Sequence, residues 1–105
     1  MKETRYSILV EDMSKCFVCG ASPTHIHEVF FGTSSRKKSI EDGMCVGLCP
    51  AHHNMSNQGV HFNHELDDYL KKHSQKIWMD TYCDENDSED EKINKFIKRY
   101  GKSFI

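Results

Sequence analysis

The sequence predicts a small α+β fold closed by a bound metal ion, and three observations carry that expectation. Two pairs of thiol and imidazole ligands, Cys16-x-x-Cys19 and Cys49-x-x-His52, stand well apart along the chain. Short β-prone runs precede and separate them. Two long stretches with helical periodicity follow. The chain has 105 residues, which suits one domain. Only 37% of them are hydrophobic. So small a core is marginal on its own, and domains of this kind usually depend on a metal or on disulfides.

Taken in order, residues 5–11 alternate Tyr6, Ile8 and Val10 against Ser7, Leu9 and Glu11, a strand pattern. Cys16 to Gly20 reads as a knuckle, with two thiols on a tight turn and a glycine to close it. Ile26 to Phe31 is rich in β-branched and aromatic residues and predicts a second strand. Gly32-Thr33-Ser34-Ser35 breaks it, and Arg36 to Gly43 reads as a polar connection. Met44 to Leu48 predicts a third strand. Cys49-Pro50 then opens a helix, because proline suits a first helical turn, and Asn57-Gln58-Gly59 ends it. A second helix is expected over His64–Tyr82, with Asn63 as its N-cap and Glu65, Asp67 and Asp68 complementing its dipole. Leu66, Tyr69, Leu70, His73 and Ile77 share one of its faces. A third helix starts at Ser88, where Glu91 completes a capping box. Ile93, Phe96, Ile97 and Tyr100 form its apolar stripe, and Gly101 stops it. Residues 1–62 therefore form a metal-bound unit and residues 63–105 a helical extension, with the acidic stretch 84–91 as a mobile loop.

Charge and cysteine usage narrow the function classes. The formal net charge is −2, which by itself speaks against a polyanionic partner. The acidic stretch accounts for six carboxylates; without it, ten face fourteen Lys and Arg, a balance of +4. Arg36-Lys37-Lys38 and Lys71, Lys72 and Lys76 are local basic clusters suited to phosphate. Five cysteines, an odd number, behind a start with no room for a secretory leader's apolar core, point to a reducing compartment and metal-bound thiolates. No apolar run approaches membrane-spanning length.

Structural zinc takes four Cys or His ligands in a tetrahedron. Cys16 and Cys19 converge from one turn, and Cys49 and His52 point the same way from a helix start. Together they close a Cys3His site, the treble-clef arrangement, with His53 as an alternative to His52. Cys45 and Cys83 have no such partners, and Cys45 is expected to be a small core residue.

Beyond the ligand spacing, the stretch from Cys16 to about His61 resembles HNH-type nucleases of the zinc-containing ββα-metal kind, and more narrowly small proteins of bacterial prophages. The narrower likeness rests on His27-Glu28-Val29-Phe30-Phe31-Gly32, Arg36-Lys37, Ser39-Ile40, Val46-Gly47-Leu48-Cys49-Pro50-Ala51-His52-His53-Asn54 and Gly59-Val60-His61-Phe62, continuing weakly into Leu66-Asp67 and Leu70-Lys71. In that family a strand ends in two adjacent residues. The first binds a divalent ion, and the second, a histidine, activates water. A helix supplies a further ligand. The resemblance thus implies metal-dependent cleavage of DNA phosphodiester bonds in phage recombination or DNA processing. The expected setting is the cytoplasm of a bacterial host, and the expected partners are DNA, a second copy or a phage recombination protein. It implies His27, His53 and Asn57 around a catalytic Mg, Mn or Ni ion, and Glu28 in the position of the base. Arg36, Lys37, Lys38 and His61 would face the nucleic acid.

The chain departs from the family pattern at two positions. Glu28 stands where the base histidine is expected, and the middle asparagine maps onto Met44. A carboxylate can serve as base or bind a hard cation. A register with His27 as base and His25 or Glu28 on the metal remains open, as does a zinc module that binds nucleic acid or protein without turnover.

Overall fold

Two four-residue strands hold the centre of the molecule. In the computed structural model, which describes residues 5–32, 34–53 and 64–105, β1 (His25–Glu28) pairs antiparallel with β2 (Cys45–Leu48). The register sets His25 opposite Leu48, His27 opposite Val46 and Glu28 opposite Cys45. Between the strands runs α1 (Ser35–Asp42), and after them come α2 (Pro50–His53), α3 (His64–Tyr82) and α4 (Glu89–Tyr100).

The long helices pack on the sheet through an aromatic cluster. Phe30, just past β1, lies 4.5 Å from the Tyr100 ring and 5.2 Å from that of Phe96. Trp78 of α3 meets Phe96 edge-on at 5.4 Å. Val29, Met44, Val46, Leu48, Leu70 and Phe96 are fully buried in this cluster, which extends to Cys16 and Cys49. The C-terminal helices and the cysteine-bearing segments therefore share one core. At the start of α4 the expected capping box is present, with Ser88 and Glu91 exchanging side-chain and backbone hydrogen bonds. Gly101 closes the helix, its N–H donating to the Ile97 carbonyl at 2.7 Å.

Three expectations are corrected. First, residues 5–11 do not form a strand. The Ser7 hydroxyl donates to the Cys45 carbonyl at 2.6 Å and accepts from the Leu9 and Val10 N–H groups. Donors that a ladder would need are thus taken by a side chain, while the Ile8 N–H reaches across, to the Gly43 carbonyl at 3.0 Å. Second, Arg36 to Gly43 is helix α1 rather than a connection. Its buried residues are Ser39, Ile40 and Asp42, so its inner face carries almost no apolar signal. Ser39 accepts from the Phe30 N–H and donates to the Phe30 carbonyl, and it ends β1 early by standing in for a neighbouring strand. Third, the stretch 84–91 is only in part a loop. Asp84 and Asp87 close a turn, Lys95 pairs with Asp87, and Glu89–Glu91 already belong to α4.

Asp42, at the end of α1, ties the layers together. Its carboxylate accepts from Trp78 Nε1 at 2.9 Å, the Tyr100 hydroxyl at 2.7 Å and Arg99 at 2.9 Å. Its carbonyl accepts from the Tyr82 hydroxyl at 2.7 Å. Burial and the neighbouring carboxylate hold the Tyr100 hydroxyl protonated far above the ordinary phenol range.

Gly47 marks the closest approach in the sheet. A Cβ there would collide with the Met13 carbonyl oxygen and lie 2.8 Å from its carbon, on backbone that cannot swing away. Gly47→Ala is expected to lower stability by about 1–3 kcal/mol through overpacking. A shift of the urea midpoint at unchanged slope would register it; an unshifted midpoint would contradict it.

Candidate metal centre and adjoining histidines

The knuckle is built by its backbone. Gly20 donates to the Cys16 carbonyl at 2.8 Å, Cys16 to Ala21 at 2.9 Å, and Phe17 to the Gly47 carbonyl of β2 at 2.8 Å. The last bond docks the turn against the strand that leads into Cys49. There the His52 and His53 N–H groups both bond the Cys49 carbonyl, so Cys49 caps α2 and its side chain turns toward the knuckle.

The four predicted ligands converge. Cys16, Cys19, Cys49 and His52 place one ligand atom each within 4.8 Å of all the others. Cys19 Sγ to Cys49 Sγ is 3.7 Å, Cys16 Sγ to His52 Nδ1 3.6 Å, and Cys49 Sγ to His52 Nδ1 3.2 Å. Zinc bonds of about 2.3 Å to sulfur and about 2.0 Å to nitrogen imply tetrahedral edges of about 3.5–3.8 Å. The set fits zinc in donor type and spacing, and His52 rather than His53 is the imidazole that joins the thiols. All five cysteines are free thiols.

The electrostatics of the knuckle agree. Burial works against a Cys16 thiolate. The N–H groups of Cys49, Cys19 and Val18, together with the Cys19 side chain, outweigh it and bring the pKa down to about 6. At Cys19 the Ala21 N–H favours the thiolate, but desolvation and the neighbouring thiols Cys49 and Cys16 push the pKa up on balance. Sulfurs this close cannot all ionise unless a cation sits among them. Cys45 differs: it is fully buried in β2, and burial pushes its thiol up to about 11. That is an inert core cysteine.

A second cluster begins one residue past His52. His53 is turned about 100° from it around α2, and its ring faces β1. It lies 5.4 Å from the His27 ring, edge-on, and 5.6 Å from that of His25, stacked at 24°. Strand alternation puts His25 and His27 on the same side of β1. His27 is buried, 2% exposed, and Phe31 lies 5.8 Å from its ring; His25 is open to solvent. The Lys71 ammonium sits 4.4 Å from the centre of the Phe31 ring and pairs with Asp67 at 2.9 Å.

Glu28 does not join this group. Its carboxylate accepts from Arg5 Nε at 3.1 Å and Arg36 Nε at 3.3 Å. Burial raises its pKa, but its own backbone N–H and the two guanidiniums outweigh that and leave it below the ordinary carboxylate value. Arg36 and Lys37 are exposed on α1, while Lys38 is half-buried and its carbonyl accepts from the Tyr100 hydroxyl. Asn57 and His61 lie outside the described residues. The Arg5–Glu28–Arg36 bridge has no sequence signature. His25 does have one, its spacing of two from His27 on a strand.

Among the described residues no helix is long and apolar enough to cross a membrane. Comparison with protein-family models, curated proteins and solved structures finds no match for this chain.

Proposed function

We propose that the chain is a metal-dependent endonuclease that hydrolyses DNA phosphodiester bonds on an HNH-like ββα-metal plan. In this reading it serves phage recombination or DNA processing in a bacterial cytoplasm, alone or as a pair of copies. The observation that supports it is His53 facing His27 and His25 from the residue next to a zinc ligand. His27 and His53 are the residues that would hold the divalent ion. Imidazole donors suit Ni or Zn better than Mg or Mn. When bound, such an ion supplies Lewis-acid relief of charge at the scissile phosphate. His25, the solvent-open member, is placed to take a proton from water at a ring nitrogen. Glu28 holds the Arg36 guanidinium beside the strand rather than serving as the base.

The test is a plasmid-cleavage assay on zinc-loaded protein with Mn²⁺, Ni²⁺ or Mg²⁺. His27→Ala and His53→Ala are expected to lose cleavage, and His25→Ala to lose about 10²–10⁴-fold, the usual worth of a general base. Glu28→Gln should stay within a few-fold. Intact plasmid with every ion, from wild-type protein, would end this reading.

The engagement of Glu28 by two guanidiniums favours one alternative, a zinc module that binds nucleic acid or a protein without turnover. It leads to salt-sensitive DNA retention with no cleavage, weakened by replacing Arg36, Lys37 and Lys38 with alanine.

A further inference from the structure

Tyr69 is 54% exposed, the highest of the large hydrophobic side chains among the described residues. It is not isolated. His73, one turn later on α3, lies 5.7 Å away with its ring within 13° of parallel. Phe17 of the knuckle closes the triangle, 6.4 Å from Tyr69 and 5.9 Å from His73. Phe17 directly follows the ligand Cys16, and its backbone is fixed to β2, so the rings are held against the zinc-bearing turn. Lys72 and Lys76, three and seven residues after Tyr69, are exposed and form no ion pair among the described residues. Lys71 by contrast turns to the other side of the helix, where Asp67 and Phe31 occupy it.

We propose that Phe17, Tyr69 and His73, flanked by Lys72 and Lys76, form a stacking platform for single-stranded nucleic acid. Stacked rings with an open outer face accept any base, because every base has a π-face, and nearby ammonium groups take the phosphates without reading sequence. Tyr69 to Lys76 spans about 10 Å of helix, room for two or three nucleotides. Asp80, one turn beyond Lys76, bounds the platform with the opposite charge. In a duplex the base faces are already stacked on one another, so unpaired strands are the ones this surface selects. Cleavage chemistry is not needed for it, and His25, His27 and His53 take no part.

The test is fluorescence anisotropy of a labelled oligo-dT of about twelve nucleotides against the zinc-loaded full chain, with no other divalent ion added. Tyr69→Ala is expected to weaken binding about 5- to 150-fold, the usual worth of one base–aromatic stack, while Tyr69→Phe restores it. Replacing Lys72 and Lys76 with glutamine should flatten the salt dependence by about 0.7 per lost phosphate contact. Ile97→Ala, exposed on α4, should bind as wild type. Unchanged affinity in Tyr69→Ala, or equal affinity for a duplex, would overturn the proposal. So would light scattering that shows Tyr69 holding two copies of the chain together. Because the readout is binding without a catalytic ion, a chain that never cleaves DNA would leave the platform standing, and a failed platform would leave the cleavage reading standing.

Discussion

Stripping zinc with a strong chelator is expected to unfold the whole chain, not merely the knuckle. Cys16 and Cys49 belong to the same buried cluster as Phe30, Trp78, Phe96 and Tyr100, so releasing the ligands opens the core that α3 and α4 pack against. Magnitudes point the same way. Structural zinc contributes about 10–16 kcal/mol of apparent binding free energy in small zinc peptides, whereas a domain's net stability is about 5–15 kcal/mol. Far-UV circular dichroism should lose its cooperative thermal transition in chelator and recover it on adding zinc. Cys49→Ser should behave as the metal-free protein does. A metal-free chain that still melts cooperatively, within a few degrees of the loaded one, would refute the structural role given to the site.

The second large effect is expected at Asp42→Ala. Four donors from three side chains on α3 and α4 meet this one carboxylate, which is only 8% exposed. Removing it strands the Trp78 N–H in the core, leaves the Tyr100 hydroxyl only the longer bond to the Lys38 carbonyl among the described residues, and leaves Arg99 the exposed Glu41 as counter-ion. Breaking a buried charged pair from one side costs about 3–5 kcal/mol. At about 4–8 °C per kcal/mol for a chain of this size, the melting temperature should fall by at least about 12 °C. Arg99→Met should cost less, since that side chain is about a third exposed and its loss leaves the two neutral donors paired. A drop of under about 1 kcal/mol in Asp42→Ala would show that these bonds contribute little.

What could be read in advance follows from where the information sits. The Cys3His set was legible because chain spacing alone fixes a ligand turn and a helix start. The spans of α3 and α4 were legible because helical periodicity and, at Ser88, the capping box are local; the buried face of α3 was not, since Leu70, Ser74, Gln75, Trp78 and Met79 turn inward while Tyr69 of the expected apolar face is exposed. Helix α1 was not: its inner face is Ser39, Ile40 and Asp42, and the partners that justify burying the two polar ones lie at Phe30, Trp78, Arg99 and Tyr100. The N-terminal alternation misled because it says nothing about the Ser7 hydroxyl, which captures backbone donors. At the candidate site, the meeting of His27 with His53 follows from a strand and a helix on either side of the Cys3His set. The two guanidiniums on Glu28 do not follow, since Arg5 reaches it across 23 residues.

Helix α2 is four residues long and ends in two adjacent imidazoles, one turned to the thiols and one to β1. A single peptide unit thus joins the Cys3His set to the histidines of β1. On the proposed reading, where His53 holds an ion, thermodynamic reciprocity applies: whatever occupancy at His53 gains from a well-seated His52, a metal at the Cys3His set gains back by the same factor. Scarcity of either ion would then loosen the grip on both.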